Sequence, residues 1–325
     1  MSKYCSFLIV LCPAILAGVL ARAKPALADA PPLLTLNPWN TTAMAQTWDH
    51  LLEENKGWIR NDGRSSHVFW YDSFGRIRLN PKAKYAPTLG YRVMYIDLGT
   101  HDPLLPTQLT DQSLVLGMPV AHWRNWRLGV ILGAGYAGNS PFGDTRAIYG
   151  IGHVQLAHTL NPHNQVYLTL DYYGHGALLP DVPLPGFGWR HHTHSLSFLV
   201  GFPTDNLKWR PAPRWLLNVS YEVPIDGTAT LRYRLTKGLY AFGDFQNYLE
   251  GYQINTYPDN TRLFMEFCRV EGGLRLIQEP WIDVSLAVGY AFNQEFMRGF
   301  DIRSLAPVAQ MANQPYVAVE LRGYW

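Results

Sequence analysis

Charge is scarce in this chain. Asp, Glu, Lys and Arg make up 16% of its 325 residues, against roughly 25% in an average soluble protein. A soluble β-sandwich or small barrel would carry Lys, Glu and Asp along its outward faces, which makes it the weaker rival here. The charges also nearly cancel, with 27 basic and 25 acidic residues, and that excludes the basic excess of a nucleic-acid-binding chain. Cysteine is scarcer still, at three. After the first twenty residues no segment reaches about 18 consecutive apolar residues, so no transmembrane helix is expected there. The chain has no P-loop, no G-x-S-x-G and no H-E-x-x-H. The Asp259-Asn260 turn is too poor in carboxylates for a calcium loop.

What is present begins with a leader. Lys3 supplies a short positive region, and Phe7 to Leu20 is apolar but too short to span comfortably as a helix. Ala26-Leu27-Ala28 puts small residues where a signal peptidase reads, so cleavage is expected before Asp29, with Ala21-Arg22-Ala23 as a second candidate. Cys12 follows the bulky Leu11, which argues against a lipid anchor. Loss of residues 1–28 removes Lys3, Arg22 and Lys24 and no acid, turning the net charge from +2 to −1. It also removes Cys5 and Cys12. Cys268 alone then remains, which allows neither an intramolecular disulfide nor a cysteine metal site.

Aromatics reach 14%, glycine is frequent at 28, and mean hydropathy is only −0.11. Alternation of lipid-facing and water-facing side chains produces that combination. From Thr88 onward period-two patterning keeps returning: Val166, Leu168, Leu170 and Tyr172 alternate with Tyr167, Thr169, Asp171 and Tyr173, and Ile282, Val284, Leu286 and Val288 with Asp283, Ser285, Ala287 and Gly289. Successive strand side chains point to opposite faces. About twelve such segments are expected, near 86–96, 111–121, 126–138, 147–160, 164–174, 193–203, 214–224, 226–236, 238–248, 261–277, 281–293 and 314–325. The segment at 261–277 changes phase near Cys268, which a β-bulge would explain. Short connections such as Lys237-Gly238 alternate with long ones such as Tyr173 to His192, as short periplasmic turns and long outer loops do. Residues 29–85 read as a periplasmic or plug segment. One amphipathic helix is expected over Thr41–Arg60, with Met44, Trp48, Leu51 and Leu52 on one face. The expected fold is therefore all-β: a transmembrane, antiparallel, up-and-down barrel over 86–325.

The last ten residues place Val317, Val319, Leu321 and Trp325 on one face and end on an aromatic residue. This resembles the C-terminal recognition strand of bacterial outer-membrane proteins, although Gly323 stands where an apolar or aromatic residue is usual. Residues 86–325 as a whole resemble outer-membrane barrel proteins. The resemblance implies an outer-membrane location, lipid as surroundings and recognition by the barrel-assembly machinery.

Alternation assigns Arg92, Arg127, Arg232, Arg234 and Arg322 to the inward face, with Asp171, Glu222, Asp244, Glu266, Asp283 and Glu320. Charge inside a membrane protein must face water or an opposite charge. The set reads as a pore lining or as a salt-bridge lattice, and its near balance argues against strong ion selectivity. Trp126, Tyr136, Trp215, Tyr221, Tyr290, Phe292 and Trp325 fall where interface girdles belong. His192 and His194 share a face and are weak metal candidates, without a carboxylate or cysteine at ligand spacing. His194 and Ser195 are adjacent, so they point apart and cannot form a catalytic couple. No cofactor is expected. The reading is a non-enzymatic barrel, either a narrow diffusion channel for small solutes or a structural barrel. The alternatives are a lipid-modifying outer-membrane enzyme and a surface binding protein that uses the loops at 174–192 and 293–313, where Phe187, Trp189, Phe296 and Phe300 lie.

Overall fold

The computed structural model describes residues 36, 43–59, 63–80, 82–83, 86–278 and 281–325. The expected signal peptide and its cleavage site lie outside these residues. Nearly all of the described chain is strand: β1 (Ala45–Glu54), β2 (Gly57–Trp58), β3 (Ser65–Ser66), β4 (Phe69–Arg78), β5 (Thr88–Asp97), β6 (Gln108–Trp123), β7 (Trp126–Gly138), β8 (Ile148–Asn161), β9 (Asn164–Tyr173) and β10 (Leu184–His192). There follow β11 (Leu196–Phe202), β12 (Thr204–Trp209), β13 (Trp215–Glu222), β14 (Asp226–Arg234), β15 (Leu239–Gln253), β16 (Arg262–Gln278), β17 (Ile282–Gly299), β18 (Ala306–Gln310) and β19 (Gln314–Tyr324). β2 and β3 form a separate hairpin. The others pair antiparallel with their neighbours, and β1 pairs with both β4 and β19, so the sheet closes on itself. β18 only continues β19 upward along β17, which leaves 16 barrel strands.

The expected number of strands was about 12, and the difference has four sources. β1 replaces the helix expected over Thr41–Arg60. Trp48 and Leu52, four residues apart, fit a period of two as well as a period of 3.6, and both are buried on the inward face. The barrel therefore begins at Ala45 and not near residue 86, and β4 is its second strand. β10 and β12 lie within what read as a long loop and a long turn. The unrecognised β10 makes β11 run in the direction opposite to the one expected, and β12 restores the expected direction from β13 onward.

Gln46 pairs with Tyr324, so both ends of the barrel sequence lie on one rim, the rim of the tight turns at 124–125, 162–163 and 193–195. Short turns mark the periplasmic side. The apolar residues Leu168, Leu286 and Val317 project from the outer surface, while charged residues line the interior.

The wall has uneven height. β15, β16 and β17 run for 15, 17 and 18 residues, whereas β11, β12 and β13 have 7, 6 and 8. Where tall β15 leaves short β14, Asp226 Oδ1 accepts from Leu249 N (2.8 Å) and Asn247 Nδ2 donates to Ile225 O (3.1 Å), satisfying backbone groups that lack a neighbouring strand. Higher still, Gln253 of β15 bridges in parallel to Gly138 of β7. Above that point the tall strands close into a smaller ring and leave β8–β14 below it.

The smaller ring is solid. Leu52, Val68, Ile96, Leu109, Tyr252, Leu263 and Phe296 form one buried cluster with Ile59, which bridges to Met311 from beside the β2–β3 hairpin. A fully buried side chain of this kind contributes about 1.5–3 kcal/mol, so this is a true core. Leu36, the described residue of the N-terminal stretch, packs against the same cluster and against Gly129 of β7.

The bulge expected near Cys268 sits on the other strand. β16 keeps its odd residues inward throughout, and the register shift with β17 falls beside Asn293, which has φ 52°. The apolar residues of β16 change phase along the sequence only because its upper inward residues enter the plug.

Candidate functional site

The interior below the plug is organised by Arg92 on β5. Its Nη1 donates to Asp111 Oδ2 (3.2 Å) and Glu250 Oε1 (3.3 Å), and its Nη2 to Asp72 Oδ2 (3.3 Å) and Tyr248 Oη (3.1 Å). Tyr149 donates to Asp111 (2.6 Å) and Tyr252 to Glu250 (3.2 Å). Gly135 makes this possible, because a Cβ there would lie 2.2 Å from the Tyr149 ring. One guanidinium thus meets three carboxylates at the base of the apolar plug.

A second lattice lies nearer the periplasm. Arg275 binds Asp283 in bidentate fashion (2.7 and 2.6 Å) and reaches Glu320 (3.4 Å), which also accepts from Arg322. Between the two lattices is a cavity of about 240 Å³ lined by Trp48, Phe74, Arg92, Asp244, Glu271 and Arg322 among others. Arg269 lies at its edge, over the rings of Trp70 (4.6 Å) and Phe267 (4.5 Å), and donates to Gln246 Oε1 (2.6 Å). Stacking of this kind suits a desolvated guanidinium.

Of the residues picked from the sequence, Arg92, Asp244, Glu320 and Arg322 line this cavity. Asp283 is buried beside it on Arg275. Asp171 lies elsewhere on the wall and holds His153, with Thr169 donating to its other oxygen (2.7 Å). Arg127 and Arg232 lie on the inward faces of β7 and β14, Glu222 at the low outer rim, and Arg234 is exposed at the periplasmic rim. Glu266 is a correction. It faces outward, paired with Glu295, because β16 never changes phase. Val317, Val319, Leu321 and Trp325 project outward, Trp325 with 64% of its surface exposed.

Sequence reasoning missed Asp72, Asp111, Glu250, Arg269 and Arg275. Asp72 belongs to the unrecognised β4, and Glu250 lies just beyond the expected end of its strand. Arg269 and Arg275 share the phase opposite to the lipid-facing Leu274 and Leu276, so the signal for them was present but was not used. Asp111 opened an expected strand, and its phase with Ser113 and Val115 was the available signal.

Other expectations also change. Tyr136 is buried under its own loop, donating to Ser140 O, and belongs to no girdle. Trp123–Trp126 and Trp215–Tyr233 do form ring pairs at the periplasmic rim. His192 ends β10 and His194 lies in the periplasmic turn, not at the outer interface. Among the described residues no group of three or more His, Cys, Asp or Glu is arranged to hold a metal ion. Phe296 is buried in the plug and Phe187 and Trp189 lie on the outer face of β10, so these aromatics form no loop surface.

The outer loops are tied down. Arg146 donates to Asp144, to Asp259 Oδ1 (2.8 Å) and to the carbonyls of Asn255 (3.0 Å) and Tyr257 (2.9 Å), clasping the 139–147 loop to the 254–261 loop. The guanidinium holds the Asp144 carboxyl below its ordinary range. The 174–183 loop crosses to β16, where Arg262 donates to the carbonyls of His175 and Gly176 (both 2.9 Å), and Ile302 N donates to Ala177 O (3.0 Å).

A closed antiparallel barrel with an apolar outer surface and a charged interior is an outer-membrane protein, the reverse of a soluble barrel. No protein-family model matches the chain, and no curated protein does. Among solved structures it is similar to the Pseudomonas putida toluene transporter TodX, with 10% identity and a TM-score of 0.40 over 95% of this chain and 96% of that one. The Ralstonia pickettii toluene transporter TbuX gives 10% and 0.40 over 94% and 97%. A Pseudomonas aeruginosa FadL homologue gives 10% and 0.34 over 86% and 89%. TM-scores below 0.5 are too low to carry a function from one chain to the other.

Proposed function

We propose that this protein is a non-enzymatic outer-membrane channel for small solutes, narrow and shut in the conformation described. The observation that carries this reading is the polar cavity of about 240 Å³ at mid-barrel, capped on the outer side by a core that the clasped loops hold in place. A lumen meant only as scaffold would have little reason to keep charged walls around a space. The enzyme alternative finds less support. His153 is oriented by Asp171 as a catalytic imidazole would be, but its Nε2 is buried without a hydrogen-bond partner, so no nucleophile engages it. The loop-binding alternative loses Phe296 to the plug and Phe187 and Trp189 to the outer wall, and keeps only Phe300 exposed on a loop.

The test is single-channel recording of the refolded barrel beside Arg146→Ala and beside a variant whose 174–183 loop is replaced by a short turn. The intact protein should give rare, small openings, and both variants should open several-fold more often. Silence in all three would leave a filled, structural barrel.

A further inference from the structure

We propose that the lumen near the periplasmic mouth contains a binding site for a hydrogen-phosphate group, built from Lys208 on β12, Asn218 on β13 and Arg232 on β14. The site deepens the channel reading by naming a solute class, and it rests on that reading only in needing a lumen that solutes reach from the periplasm.

The strand register brings the three together. Lys208 stands directly opposite Asn218, and Asn218 directly opposite Thr230. Arg232 is two residues beyond Thr230 on the same face. Same-face neighbours across a ladder have Cβ atoms about 4.5–5.5 Å apart when directly opposed and roughly 7–8 Å on the diagonal. The ammonium, the amide and the guanidinium therefore converge on one patch of the inner wall.

Their surroundings leave them unpaired. Lys208 is 4% exposed and Asn218 7%. Both side-chain amide atoms of Asn218 and the Nε of Arg232 are buried without a hydrogen-bond partner. Among the described residues no ion pair includes Lys208 or Arg232. The nearby carboxylates are engaged elsewhere: Asp244 accepts from Thr230, Asp283 is held by Arg275, and Glu320 by Arg275 and Arg322. Buried cations are normally paired, and buried amides hydrogen-bonded. Lys208 offers three donors, the arginine Nε one and the asparagine Nδ2 two, which suits an oxyanion. Asn218 Oδ1, however, needs a donor. Phosphate at neutral pH retains a hydrogen and sulfate does not, so the unpaired acceptor selects phosphate.

The test uses the refolded full chain in detergent, titrated calorimetrically with inorganic phosphate, with sulfate, with chloride at matched ionic strength, and with phosphatidic acid in mixed micelles. Phosphate should bind one to one, at least several-fold tighter than sulfate, and should raise Tm. Asn218→Asp places a carboxylate between the cations. It should raise the phosphate-free Tm and weaken phosphate binding at least tenfold, and Lys208→Gln and Arg232→Gln should each weaken it without that rise. Binding of phosphatidic acid but not of free phosphate would keep the site and assign it to a lipid headgroup. No binding beyond the chloride control, or equal phosphate affinity in wild type and all three variants, would overturn the proposal. Phosphate binding by a barrel that never conducts would refute the channel and leave the site standing.

Discussion

Arg92 ties the consecutive strands β4, β5 and β6 to β15 across the lumen, since its partners Asp72, Asp111 and Glu250 come from β4, β6 and β15. Its loss would leave three carboxylates facing one another where little water reaches. Breaking a buried ion pair from one side costs about 3–5 kcal/mol, and Arg92→Gln should destabilise the barrel by about that much in a urea titration in lipid vesicles. The triple change Arg92→Gln, Asp111→Asn, Glu250→Gln should recover most of the loss, because it removes the two most buried of the three stranded charges and leaves only Asp72, the most exposed. A loss under 1 kcal/mol in the single variant would mean that water fills this layer.

At the scale of elements, the Arg146 clasp gives the outer end a dependence on acidity. Asp144 is held below its ordinary carboxylate range, so its contribution is complete above about pH 4 and is lost as pH falls through the lowered value. Acidification below about pH 4 should therefore mimic Arg146→Ala and raise open probability in planar bilayers, with no further rise in the variant itself. An unchanged open probability at pH 3 would show that the clasp is no gate. Strands with one uniform apolar face, such as β9 and β17, were legible in the sequence because lipid demands apolar residues at every second position. β10 and β12 were not, since proline-rich flanks and short length obscured the alternation. β1 failed for a different reason: its outward face carries Thr47, Asp49 and Glu53 instead of a uniform apolar row, and the spacing of its apolar inward pair, Trp48 and Leu52, is one that a helix shares. The ion lattice was half legible. Arg92, Asp283, Glu320 and Arg322 followed from phase alone, and Arg269 and Arg275 could have followed from the lipid-facing Leu274 and Leu276 beside them, whereas Asp72 required recognising β4 and Glu250 a longer β15.

Across the whole molecule, a near-even charge total conceals a gradient. Acidic Asp72, Asp111 and Glu250 outnumber Arg92 beneath the plug, whereas Lys208, Arg232, Arg234, Arg275 and Arg322 outnumber Asp283 and Glu320 toward the periplasm. The sum over all strands suggested weak selectivity because it ignored depth. Height is unequal as well. Six residues of β12 at about 3.3 Å each reach roughly 20 Å, less once tilted, against an apolar band of about 25 Å on barrels of this kind. Lipids beside β11–β13 must shorten or lean, while those beside β15–β17 need not. The barrel is therefore an elastic wedge in the bilayer, with one side that thins its surroundings at a fraction of a kcal/mol per Å. Two such barrels relieve that distortion by turning their low sides together. Energy transfer between labelled barrels should rise as the acyl chains lengthen, and lengthening the β11–β12 hairpin by two residues on each strand should abolish the rise. Equal transfer in thin and thick bilayers would show that the low side has no elastic consequence.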